Sequence, residues 1–419
     1  MPDVLYWILI ALSLAGLLSV VLEDVIHVNK AQSVLFLGAL SWILLFIFTP
    51  TASEHERVME GLQENIGEIA SLWLFLLAAM TFVVYLNKKG LIESVIYKVL
   101  PKRISERKLL LLTGIFSFVF SSLADNITAT LISVALILSL NLPAKKTLRF
   151  AAVAVFAVNS GGVSMITGDV TTLMIFLADK VSIPHLLMLA VPAFLGVTVL
   201  ATLLARPLNS MVIIEPRNNE LQRVDIAIAI VFALTIMATI AGNVLFDIPP
   251  VLSFLSGLSV MFLVARVFGE DTENDPIMNY IRQIEFDTLM FFLGILLLVG
   301  ALKEIHALDS IVQIYNVMPA WAANYSMGLL SSLIDNVPLT AALLKADVTM
   351  GLQDWLGLTY AVGVGGSLLI IGSAAGIVAM SKISELTFAT YLRFLLALLI
   401  AYSVGYLATL ALGFWIVAS

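Results

Sequence analysis

The chain has 419 residues, of which 60% are hydrophobic and 12% charged, against a charged share of roughly 25% in soluble domains. A net charge of −7, no cysteine and four scattered histidines exclude a basic nucleic-acid surface, a thiolate metal site, a disulfide framework and a cysteine nucleophile. Uncharged apolar runs of about 20 residues, enough to cross a bilayer as a helix, recur along the chain, so the sequence predicts an all-α polytopic membrane protein.

In chain order the first predicted spans are 4–22, 31–49 and 66–86. Met1 to Trp7 carries no positive charge, so the first run reads as a retained span rather than a cleaved leader. The acid-rich stretch from Glu54 to Glu64 reads as a solvated face. An apolar stretch at 109–142 follows, then spans 149–179 and 184–206, then 224–246, 250–268 and 285–302. After a second interrupted stretch at 320–345 come spans 355–381 and 389–417. With both termini facing outward, 18 of the 22 Lys and Arg fall in inner loops; Arg57, Lys180, Lys303 and Lys345 alone face outward. That asymmetry follows the positive-inside rule and predicts a multi-pass protein with both termini facing outward.

The two interrupted stretches are too short to cross twice. Asp125 and Asn126 cut 109–142 into arms of about 24 Å at helical rise, and only eight residues separate Asn336 from Lys345. Both read as re-entrant helical hairpins with polar tips at membrane depth, where backbone must be covered by protein or line a watery cavity.

The tips also repeat. Ser121-Ser122-Leu123-Ala124-Asp125-Asn126 matches Ser331-Ser332-Leu333-Ile334-Asp335-Asn336 at an offset of 210. Glu68 aligns with Glu285 upstream, and Gly161-Gly162 and Gly168-Asp169 align with Gly365-Gly366 and Gly372-Ser373 downstream. The halves 1–210 and 211–419 therefore each read as three spans, a hairpin, a span broken at its glycines and a last span. Five full crossings per half is an odd number, so the second half lies upside down, the inverted-repeat plan of a secondary transporter.

Asp125 and Asp335 at the tips, and Asp169 at the first break, are costly in a membrane and functional by default. Capping of half-helices is their bland alternative, but Ser or Asn caps without a charge. No Lys or Arg stands within the tips or breaks. Uncompensated carboxylates among hydroxyl and amide oxygens suit a hard cation, and a carboxylate that binds a cation also binds a proton. Competition between the two is sufficient for exchange. Glu68 and Glu285 read as solvated helix ends, with a part in a proton route as the alternative.

The paired SSLADN and SSLIDN tips, the Asn159-to-Thr172 break and the FLGILLLVGAL span at 292–302 resemble the NhaD-type sodium/proton antiporters of the ion transporter superfamily. The resemblance covers essentially the whole chain. It implies exchange of Na⁺ or Li⁺ for H⁺, a homodimer in the inner membrane, no cofactor, and an elevator-like movement of the hairpins and broken spans. It also implies an ion and proton site of Ser121, Asp125, Asn126, Asn159, Asp169, Thr171 and Thr172 with Ser332, Asp335, Asn336, Ser367 and Ser373, the cation sitting at Asp125, Asp169 and Asp335. One position departs from the family pattern: Tyr85, then Asn87-Lys88, stand where an acid is expected near position 85. Two alternatives are a sodium-coupled carboxylate or oxyanion carrier, whose tips resemble Ser-Asn-Thr rather than Asp-Asn, and an intramembrane aspartyl protease, whose Gly-x-Gly-Asp differs from Ile166-Thr167-Gly168-Asp169.

Overall fold

The computed structural model describes residues 3–21, 29–49, 51–91, 101, 103–213, 222–267, 278–333, 335–346 and 348–418. The far ends of predicted spans 4–22 and 250–268, the inner-loop residues Lys98, Lys102 and Arg217, and Ile334 of the second tip lie outside these residues. In the first half the helices are α1 (Asp3–Val21), α2 (Lys30–Phe48), α3 (Ala52–Lys88), α4 (Glu106–Leu123), α5 (Asn126–Ser139), α6 (Ala144–Gly162), α7 (Val170–Leu177) and α8 (Ile183–Ala205). In the second they are α9 (Arg223–Phe246), α10 (Pro250–Val267), α11 (Met278–Ile281), α12 (Phe286–Glu304), α13 (Asp309–Val317), α14 (Ala320–Ser331), α15 (Asn336–Lys345), α16 (Leu352–Gly365), α17 (Ala374–Lys382), α18 (Phe388–Leu392) and α19 (Leu395–Ala418).

Seven of these, α2, α3, α8, α9, α10, α12 and α19, are long and apolar enough to cross a membrane. Large apolar side chains point outward along them, Val191, Phe246 and Leu396 each being more than 70% exposed. A surface of that kind is stable where lipid covers it. The chain is a polytopic α-helical membrane protein.

Three expectations are corrected. The predicted span 66–86 is only the later part of a longer helix: α3 begins at Ala52 and runs unbroken for 37 residues, through the solvated face from Glu54 to Glu64, about 55 Å. Thr51 opens that helix by accepting from Glu54 N at 3.3 Å. The predicted span 389–417 is divided at Arg393 and Phe394 into α18 and α19. An antiparallel ladder, β1 (Arg103–Ser105) against β2 (Met211–Ile213), with Ile104 opposite Val212, adds a little sheet to the helical fold. Beside it Lys146 Nζ meets Glu106 Oε1 at 2.5 Å and Ser210 N donates to Glu106 Oε2 at 3.2 Å. This buried carboxylate joins the ladder to α6.

The helices pack into two bodies. In the first, α12 lies along α2 and α3, α10 along α3 and α9, and α1 along α2. In the second, α4, α5 and α8 surround α6, while α14 and α19 flank α16 and α8 lies against α19. Each body thus draws helices from both halves of the chain. Gly161 of α6 shows why the second body is close-packed: a Cβ there would collide with Phe118 O of α4, and Gly365 of α16 stands in the same relation to Gly328 O of α14. Apolar side chains, among them Phe75, Leu76, Ile132, Leu173 and Leu343, fill the seam between the bodies.

Candidate ion-binding site

Both interrupted stretches are helix–turn–helix hairpins, α4–α5 and α14–α15, and both glycine-rich spans are broken, α6–α7 at 163–169 and α16–α17 at 366–373. Four helices therefore begin at the tips and breaks, and their N-cap residues are Asp125, Asp169, Asp335 and Ser373. Asp125 Oδ1 accepts from Thr128 N at 2.9 Å and Oδ2 from Thr128 Oγ1 at 2.7 Å. Asp169 Oδ1 accepts from Thr171 N at 3.2 Å, and Ser373 Oγ accepts from Gly376 N at 3.3 Å. Asp335 occupies the N-cap position of α15 without the cap bond that the other three make. The capping reading is correct for three of the four, yet it does not account for their position.

All four line one cavity of about 260 Å³, together with Asn126 and Asn336 from the tips and Asn29, Glu285, Asp287 and Thr288 from the first body. Five carboxylates border it, and no Lys, Arg or His is among the described lining residues. Asp287, exposed at the rim, accepts from Asn29 Nδ2 at 3.0 Å, and Glu285 Oε2 accepts from Thr288 Oγ1 at 3.2 Å. Glu285, read from the sequence as a solvated helix end with a proton route as its alternative, borders the cavity; Asp287 is not singled out by the sequence, where its only signal is an acidic start to α12, shared with any solvated helix.

Two side-chain bonds join the halves of the chain at this point. Asn336 Nδ2 donates to Asp169 Oδ2 at 3.0 Å. Asn159 Nδ2 donates to Ser373 Oγ and to Val155 O, both at 3.0 Å, while its buried Oδ1 has no hydrogen-bond partner. A buried carbonyl oxygen without a donor is costly and is an acceptor suited to a cation. Ser121 Oγ lies within donating distance of Val158 O at 2.7 Å and of Asn126 Oδ1 at 2.9 Å. Thr171 is buried beside Asp169.

Of the predicted residues Ser121, Asn159, Thr171, Thr172, Ser332 and Ser367 do not line the cavity, and the last three support the turns at the breaks and the second tip. Thr172 Oγ1 donates to Gly162 O at 3.2 Å, Ser367 Oγ to Val364 O at 2.6 Å, and Ser332 Oγ to Leu329 O in its own turn at 2.7 Å. Ser331 is the residue that reaches across, donating to Val362 O at 2.8 Å as Ser121 does to Val158 O. Among the described residues no three Asp, Glu or His side chains converge where one metal ion would sit. The three aspartates share a cavity but do not form a ready-made cage. At the expected acid near position 85, Tyr85 OH donates at 2.7 Å to buried Asp225 Oδ1 of α9, so an acid does reach this point, from a different helix.

Residues 5–356 match the family described as CitMHS, Citrate transporter. The chain is 30% identical to the "Na(+)/H(+) antiporter NhaD" of Vibrio cholerae, across 94% of this chain and 89% of that protein. It is also 30% identical to the protein of the same name from Alkalimonas amylolytica, across 98% and 90%. "Sodium/proton antiporter 1" of Arabidopsis thaliana is 30% identical across 93% of this chain and 69% of its own length. The Asp-Asn tips, the broken spans behind them and this chain-long similarity agree: the chain belongs to the NhaD-type antiporters within the citrate-transporter family.

Proposed function

We propose that the protein exchanges Na⁺, or Li⁺, for H⁺ across the inner membrane, with Asp125, Asp169 and Asp335 as the shared cation and proton site. The observation that carries this reading is the charge of the cavity. Each helix N-terminus brings roughly half a positive charge, so the starts of α5, α7, α15 and α17 contribute about +2. With neutral caps these four ends would form an anion site. Three of the caps are aspartates, which makes the balance about −1 when all are ionised, before Glu285 and Asp287 at the rim are added. One monovalent cation or one proton neutralises the cap set. That sign supports cation/proton exchange over the carboxylate or oxyanion carrier, even though the family description names citrate.

A sodium ion here would draw on one or two carboxylates and on neutral oxygens such as Asn159 Oδ1 and Ser373 Oγ. The relatives are named as antiporters of sodium and protons, which supports the same cargo. Two inverted repeats, 1–210 and 211–419, account for the paired hairpins, the paired breaks and the like bonds of Ser121 and Ser331. The cavity reaches the exposed rim at Asp287, near the end of α3 where Lys88 Nζ donates to Gln283 Oε1 at 2.7 Å. By the count of basic loops this end is cytoplasmic, so the site is open inward here, both termini face outward, and alternating access requires the second body to shift against the first. A homodimer would anchor the first body during that movement.

The deciding experiment is dissipation of a pH gradient in proteoliposomes on adding NaCl, LiCl or KCl, with Asp125→Asn beside the parent. Dequenching by Na⁺ and Li⁺ that vanishes in the variant supports exchange through the tip carboxylate. No response to any cation rejects it and turns attention to carboxylate substrates.

A further inference from the structure

A second cavity, of about 510 Å³, lies at the other end of the same helix pair. Helices α7 and α15 pack together, with their N-termini at the ion-binding cavity and their C-termini, Leu177 and Lys345, at this second one. Its walls combine the first body's α3 and α12 with the second body's α7 and α15. Lys180, Lys303 and Lys345 line it, and Arg57 meets Glu304 nearby at 3.9 Å. The four basic residues assigned to the outer side by the loop count thus gather at one end of the molecule.

Lys345 Nζ, on a side chain only 10% exposed, meets Glu68 Oε2 at 2.5 Å. This pair ties the end of the second hairpin to α3, and so one body to the other. The pairs Lys303–Glu64 and Arg57–Glu304 by contrast lie within the first body. Glu68 is not isolated on its helix. Glu60, Glu64 and Glu68 are exposed and spaced by four residues, so they form a row of carboxylates about 6 Å apart on one face of α3. The row runs toward the outer end of the helix, the direction in which the second body must travel to turn the ion site outward.

We propose that this row is a rail: Lys345 leaves Glu68 and pairs with Glu64 as the second hairpin moves outward, so that the bodies slide by one helical turn while the largely enclosed ammonium keeps a carboxylate partner. A buried charge separated from its partner is expensive, and a second carboxylate one turn away lowers the barrier that separation would impose. The role also accounts for the solvated acidic helix beyond the third span. Lys303 holds Glu64 at 3.3 Å and keeps that carboxylate in place for an arriving ammonium. The inference rests on the reading of the chain as an exchanger whose second body moves.

The test uses the natural absence of cysteine, so that any crosslink is the engineered one. Lys345→Cys/Glu68→Cys and Lys345→Cys/Glu64→Cys are reconstituted in vesicles and oxidised with and without opposed sodium and proton gradients. The expected result is that both pairs crosslink, that the Glu64 pair gains at least threefold in yield during turnover, and that the Glu68 crosslink slows exchange at least tenfold until reductant is added. Full-rate exchange with the Glu68 crosslink intact, or no Glu64 crosslink under any gradient, overturns the proposal. Exchange by the unmodified parent in the same vesicles tests the antiport reading separately, because crosslink yields are read whether or not cations are carried.

Discussion

The amide of Asn336 donates to the carboxylate of Asp169 at 3.0 Å across 167 positions of sequence, joining the second hairpin tip to the break in the first half. Both residues are buried, so losing the bond leaves a polar group unsatisfied, at about 1–3 kcal/mol. Asn336→Ala should therefore cut exchange at least tenfold, with the folded protein recovered in normal amount. Asn336→Asp, which replaces a donor by a further acid facing Asp169, should be worse than the alanine variant. Sodium-driven proton flux in proteoliposomes checks both, and parental flux in Asn336→Ala would remove the residue from the site.

A second prediction concerns the aspartates singly. If one cation and one proton contend for a common set of carboxylates, Asp125→Asn, Asp169→Asn and Asp335→Asn should each lower exchange by about 100-fold or more and leave the protein monodisperse in detergent, since asparagine still caps a helix. Full activity in any one would release that residue from its role.

Competition also fixes a pH dependence whose sign needs no knowledge of individual groups. Protons bound by the cation-free site must leave before sodium enters, so acidification raises the sodium concentration for half-maximal exchange. The increase approaches about tenfold per pH unit for each displaced proton while the maximal rate holds. Titrations of Na⁺ at several fixed pH values measure it. A half-maximal concentration that stays constant while the maximal rate falls with pH would mean that proton and cation occupy separate sites.

Much of the candidate site was legible because charge is expensive in a membrane: Asp125, Asp169 and Asp335 interrupt apolar runs, and Asp125 repeats as Asp335 at an offset of 210 while Asp169 falls opposite Ser373 at 204. The pairing of these residues was not legible, because helices apolar on every side carry no periodic face to say which neighbours they meet. The Asn336–Asp169 and Asn159–Ser373 bonds depend on how two hairpins cross. The choice between Ser331 and Ser332 turns on a single residue, about 100° around the helix; strict use of the 210 offset pairs Ser121 with Ser331, which is the residue that bridges to α16. The outer part of α3 was missed for the opposite reason. Its five glutamates imitate a solvated loop, although Thr51 caps the helix and Val58 packs beneath it beside Leu5 and Ile305.

The hydroxyl bridges behind the breaks lead to a stability prediction. Ser331 is buried and donates to Val362 O, so Ser331→Ala removes one hydrogen bond and leaves a carbonyl at the broken span. The loss should be about 1 kcal/mol, visible as a lower melting temperature in detergent, and Ser331→Thr should restore less than it loses because the site is closely packed. An unchanged melting temperature in Ser331→Ala would make the bridge dispensable.

Two glycines separate close packing from helix preference within one experiment. A Cβ on Gly161 would run into Phe118 O, whereas one on Gly67, in the middle of α3, meets nothing within 4 Å. Gly161→Ala forces α4 and α6 apart, at a cost of about 1–3 kcal/mol, and shifts the break that carries Asp169, so stability and exchange should fall together. Gly67→Ala gains helix preference, up to about 1 kcal/mol, on the face of α3 that borders the second cavity. Melting temperature should rise slightly and the folded yield stay unchanged. Equal melting temperatures for the two variants would show that the α4–α6 contact yields without cost, and close packing at Gly161 would not be what positions the first break.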